Sequence, residues 1–312
     1  MRLENPYHEG ELLVQQQVGE ALEAEQNGRV IADSILKGAL KFIEQQPMVI
    51  LGSVDAQQNV WASVLFGHPG FVKPVDSHTI EFDLKQAFLH PSDSFWTNIN
   101  HENHIGMLVI ELATRRRLRI NGTISQTTSE QLRLHVLESY PNCPKYIQRR
   151  HALNISEEAP RQLSKTRSGQ FLTSEQQGWI ESADTFFVAS AHPTRGVDAS
   201  HRGGNPGFVQ ILNDRILRIP DYVGNSMFNT LGNLVVNPHA GLVFLNFDRS
   251  RTLQLIGRTT IWWNLDEPIH PTGGTCRYWD FEIEQWLETD LPMLFHWEFF
   301  DYSPHNPTKT NP

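Results

Sequence analysis

The residues best suited to chemistry lie in the second half of the chain, where glycines and polar groups follow predicted strands. Ser200-His201-Arg202-Gly203-Gly204 ends one strand, and Asp221-Tyr222-Val223-Gly224-Asn225-Ser226 precedes a predicted short helix that runs to about Val236. Asn225 and Ser226 are candidate N-caps of that helix. Because a helix start presents free N–H groups and positive partial charge, the turn is a candidate phosphate site.

Two arginines could complete such a site. Arg202 lies on the strand before the turn and Arg251 opens the last long strand, so both could converge on an anion at the helix start. Two guanidinium groups and a helix N-terminus suffice for one phosphate monoester. Glycine turn signals are weak evidence for a ligand, however, and the same residues could serve only tight turns and a helix cap.

An internal repeat indicates which elements position these residues. Pro69-Gly70-Phe71-Val72 recurs as Pro206-Gly207-Phe208-Val209, at an offset of 206 − 69 = 137. Further matched pairs at offsets of 135 to 137 are Val60/Val197, Ala62/Ala199, Ser63/Ser200, Asn98/Asn233, Gly106/Gly241, Leu118/Leu253 and Gly122/Gly257. The chain is therefore a tandem duplication.

Short runs rich in β-branched and aromatic residues dominate each copy, for example 60–66 and 240–247. Their spacing predicts an antiparallel sheet closed into a small barrel, hence a mainly β protein with flanking helices. Leu132, Val136 and Leu137 predict an exit helix over 129–140, and a second helix is expected over 174–184. The polar stretch between them predicts a linker.

Composition excludes several classes of function. The 312 residues include 26 Lys or Arg and 35 Asp or Glu, a formal charge of −9, which argues against nucleic-acid binding. The sequence shows neither a secretory signal nor a membrane span, so we expect a cytoplasmic protein. Cys143 and Cys276 support no disulfide framework or zinc site, and His101-Glu102-Asn103-His104 has the wrong spacing for a helical zinc motif. No metal is expected.

The order of these motifs resembles the pyridoxamine 5′-phosphate oxidase-like family of FMN-binding split barrels. The chain is specifically similar to the large, duplicated members known as related FMN-binding proteins. The resemblance is dense over residues 179–262, extends to 140–148 and is looser over 42–125. It implies two tandem split β-barrels, with FMN lying across the second and its phosphate at the turn before the short helix.

The resemblance divides the chain into a helical arm (1–40), a degenerate split barrel with exit helix (41–155), a linker (156–173), the FMN-binding barrel (174–265) and an aromatic extension (266–312) that covers one barrel. It implies phosphate contacts from Ser200, Arg202, Asn225, Ser226 and Arg251, and flavin-ring contacts from His201, Asp221 and Tyr222. Asn225-Ser226 replace the Arg-Lys pair of the parent oxidases, and Gly207 falls near the place of their substrate lysine. Oxidation of pyridoxine 5′-phosphate is therefore not expected.

The first copy lacks the Ser-His-Arg-Gly-Gly run, so a second cofactor site is not expected. Barrels of this family pair about a twofold axis, which implies either a homodimer or a monomer that acts as a pseudo-dimer. Arg115, Arg116, Arg117 and Arg119 on the last strand of the first copy could reach across to the cofactor, or could form a solvated basic edge.

The expected function is FMN-dependent oxidation or reduction of an unknown small molecule, with no catalytic residue assigned. Two alternatives remain open. One is haem binding or degradation, with His239 and His296 as the candidate axial ligands. The other is a non-catalytic flavin-binding module. Cys143 could be redox-active or simply buried.

Overall fold

Strands dominate the structure, a computed structural model that describes residues 6–88, 90–156, 166–266, 272–291 and 294–307. The described helices are short: α1 Glu9–Val18, α2 Ala21–Gly28, α3 Leu40–Glu44, α4 Phe95–Asn98, α5 Ser174–Ser182 and α6 Asn229–Val236. A single 3-10 turn, Lys37–Ala39, precedes α3. None of the described helices is both long enough and apolar enough to cross a membrane.

The first sheet contains eight strands. They are β1 Met48–Val54, β2 Val60–Gly67, β3 Val72–Pro74, β4 Thr79–Asp83, β5 Ala87–Phe88, β6 His104–Glu111, β7 Arg116–Thr128 and β8 Gln131–Pro141. Their order is β3-β4-β8-β7-β6-β1-β2-β5. Only residues 68–71 join β2 to β3, which lie near opposite ends of this order, so the sheet curls round and its ends meet. The enclosed core includes Val49, Leu51 and Phe82.

The second sheet repeats this arrangement. Its strands are β10 Arg167–Gly169, β11 Thr185–His192, β12 Gly196–Gly203, β13 Gln210–Ile211, β14 Ile216–Pro220, β15 His239–Asn246, β16 Arg251–Trp262 and β17 Tyr278–Asp290. Their order is β12-β11-β15-β16-β17-β14-β13, with β10 beside β17. Residues 204–209 join β12 to β13 and close this barrel. The remaining strands, β9 Arg149–Ser156 and β18 Leu294–Asp301, pair with each other as a separate ribbon.

The predicted duplication and the mainly β fold are confirmed. Reading β1, β2, β3, β4, β6, β7 and β8 as β11, β12, β13, β14, β15, β16 and β17 converts the order of one barrel into that of the other. Gly106 is the third residue of β6, and its matched glycine, Gly241, is the third residue of β15. Each barrel is thus built from the same seven strands.

The exit helix predicted over 129–140 is wrong, because these residues form the turn into β8 and β8 itself. Leu132, Leu134 and Val136 are buried, whereas Arg133 and His135 between them are exposed. This alternation has the period of a strand. A spacing of four residues fits a helix face, but it is also twice the strand period, so Leu132 and Val136 alone could not distinguish the two.

The aromatic section of the predicted 266–312 extension is not a cover laid on a finished barrel. Residues 278–290 form β17, which pairs with both β14 and β16 inside the second sheet. Trp279, Phe281 and Ile283 are fully buried in its core. The predicted linker likewise contributes β10 to this sheet, and its residues 157–165 lie outside the described part of the chain.

The two barrels pack against each other through a third hydrophobic core. In β1, Val49 and Leu51 face the barrel interior, while Met48 and Ile50 face the other barrel. The equivalent β11 divides its side chains in the same way: Phe186 and Val188 point inward, and Phe187 and Ala189 point to the interface. Strands buried on both faces explain why these runs are continuously apolar in the sequence.

Two equivalent glycines set the distance between the barrels. A Cβ on Gly106 would lie 2.5 Å from the backbone oxygen of Val197 in β12. A Cβ on Gly241 would lie 2.4 Å from the backbone oxygen of Val60 in β2. Because Val60 and Val197 are themselves a matched pair, the contacts are reciprocal, as an approximate twofold relation between the barrels requires.

The N-terminal arm packs on the second barrel. Gly10 of α1 lies so close to α6 that a Cβ there would meet the backbone oxygen of Gly232 at 2.2 Å. Val14 joins Leu231 and Leu234 in the core of the second barrel. The first residues described in the chain are therefore attached to its second half.

We expect Gly106→Ala to destabilise the protein by about 3 kcal/mol, because the added methyl group must push backbone away across the interface. Gly178→Ala is the matched control, since nothing in the described part of the chain lies within 4 Å of a Cβ at that position on α5. It should leave the free energy of unfolding unchanged or slightly higher. Chemical denaturation measures both. Equal stability of the two variants would contradict a glycine-limited contact between barrels.

The arm carries a buried acid that makes stability depend on pH. Glu11 accepts hydrogen bonds from the Asn229 side chain and, at 2.9 Å, from the His8 backbone N–H. Burial, and after it the nearby Asp198 carboxylate, raise the pKa of Glu11 to about 8 from an ordinary 4.5. The folded state therefore holds this proton more tightly than the unfolded state does.

Between about pH 4.5 and about 8 the Glu11 contribution to the free energy of unfolding should fall as pH rises, and then level off. Glu11→Gln should flatten this part of the profile, by an amount on the order of a few kcal/mol. Urea unfolding across that pH range measures the difference, with the exposed Glu23→Gln as control. A wild-type profile that keeps its slope in the Glu11 variant would exclude this carboxyl as the cause.

Candidate functional site

A cavity opens where the two barrels meet, between β7 of the first and β12 and α6 of the second. Seven of the eight residues predicted from the sequence line it: Ser200, His201, Arg202, Asp221, Tyr222, Asn225 and Ser226. The first barrel and the segment after β8 add Arg117, Arg119, Asn142, Cys143, Lys145 and Tyr146. The structure therefore brings together residues from both copies of the repeat.

The start of α6 forms one wall of this cavity. Asn229, Thr230 and Leu231 line it, and within the described residues the N-cap residue, Phe228, makes no side-chain hydrogen bond to the helix. The residue before the helix, Phe228, has a φ of 58°, and Ser226 has a φ of 60°. Left-handed conformations are unfavourable for such residues and persist only where the surroundings hold them, so the turn has a specific shape. The uncapped N–H groups present positive partial charge to the cavity.

Asn225 and Ser226 shape this turn with their side chains. The Asn225 side-chain oxygen accepts from the Met227 backbone N–H at 3.2 Å, and the Ser226 hydroxyl donates to Glu20 at 2.6 Å. Both side chains are therefore engaged within the protein. An anion at the turn would therefore be held mainly by backbone N–H groups.

Arg119, which lines the cavity, connects the two barrels by hydrogen bonds. Its guanidinium donates to the Ala199 backbone oxygen at 3.1 Å, to the Tyr140 hydroxyl at 2.9 Å and to the Ser200 hydroxyl. Ser200 also accepts from Thr230 at 3.2 Å. Ser200 is thus fixed by contacts from β7 and α6. Arg119 of the first copy reaches the second barrel, and its contact with a cofactor stays a prediction.

Asp221 lies between two guanidinium groups. Its carboxylate is 3.1 Å from Nε of Arg277 and 4.0 Å from an amino group of Arg202. Arg277 follows the long connection between β16 and β17, and nothing in its sequence surroundings marked it as a site residue. Because Arg277 neutralises Asp221 from behind, Arg202 keeps its positive charge available to the cavity.

His201 is a neutral hydrogen-bond donor. Burial first, and then the charges of Arg117 and Arg202, lower its pKa well below the usual range. Its Nδ1 lies 3.4 Å from an amino group of Arg117, which can only donate, so Nδ1 accepts and Nε2 carries the proton. A neutral imidazole can position a ligand at physiological pH, but it is not an imidazolium that delivers a proton.

Three buried polar atoms of cavity-lining residues lack a hydrogen-bond partner within the described part of the chain. They are Nε2 of His201, Nε of Arg202 and the side-chain oxygen of Asn142. Leaving such groups unpaired costs about 1–3 kcal/mol each. Two donors and one acceptor therefore stand ready for a polar ligand.

The cavity carries an excess of positive charge. Arg117, Arg119, Lys145 and Arg202 line it, and Asp221 is the acidic group among its lining residues. Burial lowers the pKa of Arg117, and the neighbouring Arg119 and Arg202 guanidinium groups lower it further. Crowded cations of this kind are stabilised by an anion, so the electrostatics agree with the open helix start.

A smaller pocket, lined by Ser63, Asp93 and Thr252 among others, occupies the equivalent position in the first barrel. Gln254 replaces Arg119 and donates to the Ala62 backbone oxygen at 2.9 Å and to Ser63 at 3.1 Å. Ser63, the counterpart of Ser200, donates at 2.6 Å to Asp93, which also accepts from the Phe95 backbone N–H at 2.9 Å. The Asp93 side chain thus accepts the N–H of Phe95, the first residue of α4, whereas the N-cap residue of α6, Phe228, makes no side-chain hydrogen bond to its helix.

The prediction that Arg251 converges on the turn is wrong. Arg251 lies on β16, and β11 and β15 separate that strand from β12, which carries Arg202. The turn follows Pro220, which pairs with Tyr278 at one end of β17, whereas Arg251 pairs with Asp290 at the other end of that strand. Its side chain pairs instead with Asp290 at 2.8 Å and Glu288 at 3.5 Å.

The segment after β8 supplies residues that the sequence only partly indicated. Tyr146 donates to the Val223 backbone oxygen at 2.9 Å, and its ring contacts Tyr222 with centroids 4.9 Å apart. Asn142 and Lys145 lie in the same segment. Its resemblance to the large family members was the one signal that could have marked these positions. Cys143 is a free, partly buried thiol beside them, and its redox role stays a prediction.

The other candidate ligands lie elsewhere. His239 contacts Arg258 at 3.0 Å, and His296 is exposed on β18, so neither lines the cavity. His8, Glu9 and His192 form the metal-like cluster found among the described residues. Nδ1 of each histidine accepts a backbone N–H, from Gly10 and Thr194 respectively, so Nε2 carries a proton and offers no lone pair to a metal.

Fold and site together define a two-barrel β protein with a cationic cavity at the interface. No family model and no curated protein matches the chain. Matching solved structures include HupZ of Group A Streptococcus (13% identity, 34% of this chain, 94% of that chain, TM-score 0.28). Others are a putative pyridoxamine 5′-phosphate oxidase from Lactobacillus delbrueckii (13%, 35%, 95%, 0.28) and a NimC/NimA family protein from Clostridium acetobutylicum (8%, 40%, 96%, 0.27).

One of these neighbours carries the name of the family that the sequence resembles. Each likeness spans nearly the whole of the neighbour but no more than two fifths of this chain. With TM-scores below 0.3, the function has to be argued from the chain's own residues.

Proposed function

We propose that the protein binds FMN in the interface cavity and acts as an oxidoreductase on a small molecule. The observation that carries this proposal is the uncapped start of α6, which opens into a cavity lined by Arg117, Lys145 and Arg202. A phosphate group suits this combination of backbone N–H groups and guanidinium groups. The unpaired atoms of His201, Arg202 and Asn142 add polar contacts that a larger ligand can satisfy.

FMN bound there would supply the hydride and electron transfer. Arg202 and the backbone of the turn would hold its phosphate, with Asp221 and Arg277 keeping the Arg202 guanidinium in place. His201 would donate a hydrogen bond through Nε2, and Tyr146 and Tyr222 would enclose the cavity on one side. Arg117 and Arg119 come from the first barrel, so we also propose that one chain acts as a pseudo-dimer.

The alternatives are less well supported. Haem would need an axial ligand, and the histidines suggested from the sequence lie outside the cavity. His201 lines it, but its Nε2 is protonated and so lacks the lone pair that iron requires. A flavin-binding module without enzymatic activity would use the same residues. The two flavin functions are distinguished by anaerobic reduction, since an oxidoreductase must accept electrons from a nicotinamide or another donor.

We expect Arg202→Ala to weaken FMN binding by about ten- to a hundredfold, because a hydrogen bond to a charged group contributes about 1.5–3 kcal/mol. Quenching of flavin fluorescence measures the Kd. Arg251→Ala is the matched control, since it removes the same group from a position paired with Glu288 and Asp290. An equal loss in both variants, or no binding by the wild type, would overturn the assignment of the site.

The stoichiometry of binding tests the difference between the barrels. We expect saturation at one FMN per chain, because Asp93 already occupies the helix start of the first barrel. The absorbance of the flavin relative to that of the protein after gel filtration gives this ratio. Two equivalents per chain would show that Asp93 does not prevent binding in the smaller pocket of the first barrel.

A further inference from the structure

Four hydrogen bonds connect the N-terminal arm to the turn at the start of α6. Gln15 donates to the Met227 backbone oxygen at 3.1 Å, and Asn27 donates to the Asn225 backbone oxygen at 2.8 Å. Ser226 donates to Glu20 at 2.6 Å. Asn229 donates to Glu11. These contacts come from both helices of the arm, and they reach four of the five residues from 225 to 229.

The turn needs such support because its backbone is strained. Ser226 and Phe228 both have φ near +60°, a conformation that costs on the order of 1 kcal/mol or more for residues other than glycine. The Arg277 guanidinium lies over the Phe228 ring, 5.2 Å from the centroid of that ring. Beside these two strained residues, the backbone oxygens of Asn225 and Met227 accept hydrogen bonds from the arm. Without the arm, Asn225 and Met227 would lose these hydrogen bonds, and the strained residues beside them could adopt other backbone conformations.

The contacts of the arm leave the cavity side of the turn open. Gln15, Glu20 and Asn27 do not line the cavity, whereas Asn225, Ser226 and Phe228 do. The arm therefore contacts the turn on the side away from the cavity, where it does not compete with a ligand. It also approaches α6 closely, through Gly10 and Gly232, which fixes the helix itself.

We infer that the N-terminal arm is a positioning device for the ligand-binding turn. Gln15 and Asn27 are its positioning residues, since each donates to a backbone oxygen of the turn and neither touches the cavity. The part of this inference that concerns ligand affinity rests on the proposed function. The part that concerns the order of the turn does not, because it can be measured without any ligand.

The test combines Gln15→Met with Asn27→Ala, which removes both donors and keeps an apolar chain of similar length at the buried position. Hydrogen exchange of the ligand-free protein reports protection of the amides of residues 225–231. We expect this protection to fall while that of β11 and β15 is unchanged. FMN binding, followed by fluorescence quenching, should weaken about tenfold, since two hydrogen bonds contribute roughly 1 kcal/mol each and part of the loss is absorbed by the turn.

Glu25→Ala combined with Arg29→Ala is the control, because these exposed residues lie on α2 and at its C-cap, pair with each other at 3.9 Å and make none of the four hydrogen bonds to the turn. Asn27→Ala alone serves if the combined variant folds poorly, since Asn27 is exposed. Unchanged protection of the turn in ligand-free protein overturns the inference, whatever FMN does. Reduced protection with unchanged FMN affinity rejects a role in binding. If the wild type binds no FMN, the proposed function fails, and hydrogen exchange alone decides the role of the arm.

Discussion

The close approach of two backbones at Gly106 and Gly241 is the constraint on which the rest of the structure depends. Each glycine lets a strand of one barrel lie directly against a strand of the other. At that distance the Arg119 side chain on β7 reaches the backbone and hydroxyl of β12, where it fixes Ser200. A wider separation would break this contact and would remove the first barrel's wall from the cavity.

Because the two barrels are related by an approximate twofold axis, equivalent side chains can be compared, and those beside the two helix starts differ in charge. Arg119 and Gln254 occupy equivalent positions and donate to equivalent backbone oxygens, at Ala199 and Ala62. At the start of α4 the Asp93 carboxylate accepts the Phe95 N–H, whereas the N-cap residue of α6 makes no side-chain hydrogen bond to its helix. A cation and an open helix start on one side, and a neutral amide with an internal carboxylate on the other, give one half an affinity for anions that the other lacks.

Much of this organisation could be predicted from the sequence, because the repeat pairs residues at fixed offsets and those pairs have packing roles. Gly106 and Gly241 are one example, and Ser63 and Ser200 are another. Two of the three errors in the elements concern the last strand of a barrel, β8 or β17, and the third is the predicted linker, which contributes β10. In the first copy, the apolar residues Leu132 and Val136 are four apart and fit either period. In the second, the connection of residues 263–277 separates the strand from its hairpin partner and hides the pairing.

The candidate site was predictable where its residues follow one another along the chain, and it was not where distant strands had to be placed. Ser200 to Arg202 and Asp221 to Ser226 are local runs, and all of the predicted residues among them line the cavity. Arg251 and Arg277 depend on strand order and on a long connection. Arg251 is a predicted site residue that lies outside the cavity, whereas Arg277, which the local sequence does not indicate, pairs with Asp221. Local sequence does not contain strand order.

The joining of both barrels in one chain also bears on dilution. A cavity built between separate subunits disappears when the subunits dissociate, so its occupancy depends on protein concentration as well as on ligand concentration. Here Arg117 and Arg119 are covalently connected to the strand that they face, and the effective concentration of that wall is set by the chain. The cavity therefore persists however scarce the protein is in the cell.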